Sequence, residues 1–182
     1  MRGQNELFVA WTGLEKNEPI IKRLDGLAHS NPLWVRRWFK NILIEIIRRP
    51  NTRFEMIPIM LKNAFYELDV IGNDKLRIEK ELKFTHRLKK FASEYVEHVR
   101  TGMIAKLLAK DKGEIIHWYE TVKEIKINRN GKRRIVKDYS ITPENVNIDL
   151  YKSFLMSKLK DTLNLAGFNL SKLDCNIPRV AQ

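Results

Sequence analysis

The stretch from Asn31 to Pro50 constrains this chain more than any other, because it is bounded at both ends and patterned between them. Asn31 is a helix N-capping residue type, and Pro32 suits the first helical position, where a missing N–H costs nothing. Pro50 closes the segment. At about 100° per residue, Val35, Trp38, Phe39, Ile42, Leu43, Ile46 and Ile47 share one broad face. Arg36, Arg37, Lys40 and Arg48 gather on the opposite side with Leu33 and Ile44, while Trp34 lies near the seam. A helix over 32–49 thus demands a core on one side and offers a basic surface on the other.

Further helices follow from the same periodicity. Leu61, Ala64, Phe65 and Leu68 set a helix from about Pro58 to Ile71, with Gly72 behind it. Asn73-Asp74 caps a third, read as running from Lys75 to about Arg100 on the stripe Phe84, Leu88, Phe91, Tyr95 and Val99. Gly102 interrupts or ends it, and Met103 to Lys110 continues as helix. The period then changes. Residues 115–127 are rich in β-branched and aromatic types, 133–141 alternate, and Asn130-Gly131 between them is the pair a type I′ turn prefers. A last helix spans Ile148 to Leu165 on Ile148, Tyr151, Phe154, Leu155, Leu159 and Leu163, and Gly167 stops it.

The expected fold is mainly α: a bundle of about four helices with one β-hairpin (115–141) and extended terminal arms. Residues 1–30 form the N-terminal arm, 31–167 a single helical domain carrying the hairpin, and 168–182 a tail that docks or swaps. A hairpin alone is marginal in water, so this one must pack on helices, pair with another copy or grip a ligand. The single cysteine, Cys175, excludes an internal disulfide framework and fits a reducing compartment. No apolar run approaches the ~20 residues of a membrane span, and no N-terminal stretch suits a signal peptide. The expected setting is soluble and intracellular, or inside a virion or ribonucleoprotein particle.

Charge directs the functional reading. The formal net charge of +12 favours a polyanionic partner. Its excess is concentrated: +4 over residues 32–50, +6 over 75–112 and +3 over 113–142. In the hairpin, Arg129, Lys132, Arg133 and Arg134 surround the turn, and two-stranded ribbons fit nucleic-acid grooves. Arg grips phosphate because its planar fork donates two hydrogen bonds together. Trp118 and Tyr119 are candidates for stacking on bases or sugars. Arg36, Arg37, Lys40 and Arg48 make the second candidate grip, spread along ~18 Å of helix. Lys80, Lys83, Arg87, Lys89 and Lys90 alternate with Glu79, Glu81, Glu94 and Glu97 and read as an exposed or subunit-facing surface.

Patterns for catalysis are sparse. The eight glycines are scattered and write no phosphate loop. The four histidines include no His-x-x-x-His pair, so no metal or other cofactor is expected. Glu124-x-Lys126 on a strand resembles the Glu-x-Lys of metal-dependent nucleases of the restriction-endonuclease type. That resemblance implies Mg²⁺ held by carboxylates and a Lys supporting the attacking water, with Asp111, Glu114 and Glu120 upstream. No turn separates Glu114 from Lys126, however, so these groups would fan over both faces of one strand.

The sequence therefore leads to a non-enzymatic structural protein that binds the phosphate backbone of DNA or RNA without strong sequence specificity. It would join copies of itself or other subunits in a viral coat, nucleocapsid or ribonucleoprotein particle. The alternatives are a protein–protein assembly adaptor and the Mg²⁺-dependent nuclease.

Overall fold

The computed structural model describes residues 8–10, 20–22, 24–48, 53–96, 99–127 and 133–165. Helix α1 (Leu33–Arg48) begins where the Asn-Pro pair placed it, and the Pro32 carbonyl accepts the Arg36 N–H at 3.1 Å. Val35, Phe39, Ile42, Leu43 and Ile46 are buried as the periodicity requires. The interior also takes Trp34 and Ile44, widening the buried arc beyond the amphipathic stripe.

Helix α2 (Arg53–Ile71) starts five residues earlier than expected and carries Pro58 inside. An internal proline removes one backbone hydrogen bond. Against that loss stand Ile57, Leu61, Ala64, Leu68 and Ile71, all completely or almost completely buried at three- and four-residue steps. Packing of that stripe outweighs the missing bond. Asp74 then caps α3 (Lys75–Glu81), its carboxylate accepting the N–H groups of Leu76 and Arg77 at 3.0 and 3.2 Å.

The third helix stops at Glu81, not near Arg100, and this is the main correction to the sequence reading. Residues 84–87 form strand β3. The stripe expected to bind them to one helix face is divided: Phe84 enters the main core, Leu88 a second small core, and Phe91 and Val99 remain exposed. A short 3-10 turn (92–94) leads to α4 (Arg100–Leu107). Gly102 lies inside α4, where a Cβ would stand 2.3 Å from the Tyr95 Cβ. Only glycine lets α4 approach the 92–94 turn so closely. Gly102→Ala is expected to cost about 1–2 kcal/mol by overpacking and to speed proteolysis in the 88–96 segment, measured by urea unfolding and limited digestion.

The hairpin strands are β4 (Ile115–Ile127) and β5 (Arg133–Ser140). They do not stand alone, because β3 adds a third antiparallel strand in the order β3-β4-β5. Phe84 to Arg87 pair with Trp118 to Ile115, and Tyr119 to Ile127 pair with Ser140 to Arg133, with a bulge between Val122 and Glu124. This meets the stability requirement of an isolated hairpin. Helix α5 (Ile148–Leu165) buries Tyr151, Leu155, Leu159 and Leu163 and closes the main core with α1, α2, Phe84 and Tyr119. The second core joins Leu88 and Ile116 to Ile104 and Ala105 of α4.

Among the described residues the molecule is therefore mostly helical, with five α-helices and a small three-stranded sheet. Within the expected N-terminal arm, β1 (Phe8–Ala10) and β2 (Ile20–Lys22) pair antiparallel. The expected tail 168–182 lies outside the described residues. No described helix is long and apolar enough to cross a membrane.

Candidate nucleic-acid interface

Two carboxylates decide what the basic face of α1 has to offer. Arg37 Nη2 donates to Glu67 Oε1 and to Glu81 Oε2, both at 2.8 Å. Arg77 donates to Glu81 Oε1 through Nε and Nη2 at 3.0 and 2.9 Å, and Trp38 Nε1 donates to Glu67 Oε2 at 2.6 Å. The hydrogen bond to Glu81 raises the Arg77 pKa above its already high ordinary value. The Glu81 side chain is only 8% exposed, so the two guanidiniums compensate a nearly buried charge. Arg37 thus clamps α1 to α2 and α3 through its Nη2. Arg36 differs: its Nη1 lies 3.3 Å from His29 Nδ1, and among described residues it forms no ion pair. Lys40 and Arg48 are exposed on the same helix.

The loop before α1 runs beside the sheet, because the Ser30 carbonyl accepts the Thr85 N–H at 3.1 Å. That bond lies on the outer edge of β3 and brings His29 and Arg36 toward it. The Arg37–Glu81 clamp brings the end of α3 to the same region. Lys80 lies in the last turn of α3, Lys83 in the connection and Arg87 at the end of β3, all on the segment that the Ser30–Thr85 and Arg37–Glu81 bonds tie to the start of α1. None of Lys80, Lys83, Arg87, Lys89 or Lys90 forms an ion pair with a described carboxylate. The result is a junction of three elements rich in basic residues, in which Glu67 and Glu81 are turned onto Arg37 and Arg77 while Glu79 is exposed on α3.

His86 on β3 is half-buried, and its pKa lies below the ordinary 6.5 through burial and the nearby Lys89 charge. The unfolded chain therefore takes up this proton first as pH falls, so His86 lowers stability progressively below about pH 6.5. Replacing it by Gln is expected to flatten the fall in Tm on acidification, read by melting curves across that range.

The other predicted contacts are placed differently. Tyr119 is 1% exposed, and burial raises its phenol pKa, so it presents no stacking surface. Trp118 packs against Phe84 with ring centroids 5.5 Å apart and planes within 8°. Both are turned inward because this half of β4 is the central strand, with core on both sides. Arg133 and Arg134 pair with Ile127 and Lys126 along the ribbon, whereas Arg129 and Lys132 lie outside the described residues. On the described ribbon, Lys123 at the bulge and Lys137 opposite Val122 are exposed.

The carboxylates upstream of Glu124-x-Lys126 serve other groups. Glu120 pairs with Arg100, Glu114 with Lys110, and Asp111 accepts the Ala92 N–H. Glu124 stands with Lys126 on one unbroken strand, as the sequence indicated. Among the described residues no three His, Cys, Asp or Glu side chains converge to hold a metal ion.

The helical stripe places Lys80, Lys83 and Arg87 on one long mixed-charge helix, whereas they fall on a short helix, a connection and a strand tied to the start of α1. A usable signal was present: Phe84, His86 and Leu88 alternate with Thr85, Arg87 and Lys89. That is strand period, lost beneath a longer helical one. No protein-family model matches this chain, and no curated protein matches it either.

Proposed function

We propose that this protein binds the phosphate backbone of nucleic acid along the junction of α1, α3 and β3, and that it serves as a structural component of a larger nucleoprotein particle. The observation that carries the reading is that Arg36, Lys80, Lys83 and Arg87 stand on elements tied together by the Ser30–Thr85 and Arg37–Glu81 bonds and have no carboxylate partners among the described residues. Cations held this way neutralise phosphates whatever the base sequence, which is the reason for expecting little specificity. Arg129, Lys132, Arg133 and Arg134 would extend the contact along the hairpin.

A second reading, an assembly adaptor for protein partners, draws on α2. Ile59, Tyr66 and Val70 are exposed at a spacing that aligns them on one helix stripe. Salt-titrated anisotropy with unrelated duplexes separates the two. Phosphate binding by the four junction cations gives a slope of log K against log salt of about −3 to −4, at ~0.9 per phosphate. Absence of binding at low salt would overturn the nucleic-acid reading and leave the adaptor.

A further inference from the structure

We propose that Phe91 and the lysines around it form a stacking site for an unpaired base, so that the nucleic acid is single-stranded where it meets the 88–95 loop. This rests on the nucleic-acid reading above and adds the kind of strand that is bound.

Phe91 is 50% exposed, although its neighbour Leu88 is buried. An exposed aromatic on a slack loop would carry little meaning, but this loop is pinned along its length. Leu88 exchanges backbone hydrogen bonds with Gly113 and Glu114, both at 2.9 Å. The Tyr95 hydroxyl accepts the Lys89 N–H at 3.1 Å, and Glu94 Oε2 accepts the Phe91 N–H at 2.7 Å. Asp111 Oδ1 accepts the next N–H, that of Ala92, at 3.2 Å. The acidic groups nearest the ring are therefore turned onto backbone donors. Beside the ring, Lys89 and Lys90 are exposed without described ion-pair partners and Lys112 Nζ stands over one ring face, 5.5 Å from its centroid, so these three lysines outnumber the exposed Glu94 and Asp111.

A ring on a pinned backbone, with Lys112 over one face and its other face open, is complementary to a group with a flat apolar face and an anion attached. A nucleotide with its base unstacked has that form. In a duplex the base faces are already covered by their neighbours, so the phenyl ring gains nothing there without unstacking them. The backbone continues from Arg87 on β3 directly into Lys89, Lys90 and Phe91, which joins this site to the basic junction.

The test measures anisotropy of one labelled single strand and its duplex with the full chain and with Phe91→Ala and Phe91→Trp. Phe91→Ala is expected to weaken single-strand binding about tenfold, to leave duplex binding unchanged, and to melt like the parent because the ring is exposed. Phe91→Trp is expected to retain affinity and to show extra indole quenching, relative to the parent, when the single strand is added. Unchanged single-strand affinity in Phe91→Ala, or an equal loss on duplex, would overturn the proposal while leaving phosphate binding intact. A change in the sedimentation of Phe91→Ala without nucleic acid would assign the ring to a protein contact and overturn it as well. A parent protein that binds neither strand form sinks the broader reading itself.

Discussion

Reversing Lys80, Lys83 and Arg87 to Glu together is expected to weaken nucleic-acid binding about 100- to 1000-fold at low salt and to remove about 2–3 from the salt slope. The three side chains sit on α3, the α3–β3 connection and β3, where no described carboxylate uses them. The fold therefore loses no ion pair when they change. Its one expected cost is at Lys80, which complements the C-terminal end of α3 and contributes ~0.3–1 kcal/mol there. A parallel Gln variant removes the cations without adding anions. It is expected to lower the slope by the same amount with a near-parental melt. Reversing Lys62, Lys106 and Lys160 makes the same change in net charge on α2, α4 and α5. If that control loses as much affinity as the junction variant, binding follows net charge and the junction has no special role.

How far the sequence revealed this arrangement depended on whether a segment's partners were local. α1 and α5 were legible because their signals lie within one stretch: cap, stripe and stop from Asn31-Pro32 to Pro50 for one, stripe and stop from Ile148 to Gly167 for the other. The start of α3 at Asp74 was legible for the same reason. Its end was not. Phe84 to Arg87 become a strand by pairing with Ile115 to Trp118, some thirty residues on, and the short local alternation is outweighed by the longer helical stripe that runs through it. Pro58 misled in the opposite sense, since the buried stripe of α2 overrides a proline that local rules place outside. The candidate site shows the same division. Arg36, Lys40 and Arg48 were assigned to an outward face from periodicity alone, and all three remain at least partly exposed. Arg37 shares that face, yet its guanidinium is engaged by Glu67 and Glu81 from two other helices. Trp118 and Tyr119 read as exposed ribbon residues because nothing in their own stretch announces the cores that cover both faces of β4 there.

Replacing Glu81 by Ala is expected to lower stability by about 3 kcal/mol while tightening polyanion binding by what remains folded. Removing one partner of a buried ion pair typically costs ~3–5 kcal/mol, because the remaining charge is left uncompensated. Glu81 is nearly buried, but Arg37 and Arg77 are 37% and 35% exposed and retain some hydration. That places the loss at the low end of the range. The hydrogen bonds lost are the two from Arg77 and one from Arg37, leaving Glu67 as their common acceptor at 2.8 and 3.4 Å. Glu67, which also accepts from Trp38, supplies a single negative charge for two guanidiniums, so one positive charge is left uncompensated. Position 81 lies between Lys80 and Lys83 in the chain, so one fewer anion there also strengthens the positive field of the segment. Stability and binding thus move in opposite directions in this variant, whereas a merely misfolded protein would lose both. Urea unfolding gives the first quantity and low-temperature anisotropy the second. A destabilised variant with weaker binding would show that the clamp shapes the binding surface, and would count against Arg37 and Arg77 as charges held in check by Glu81.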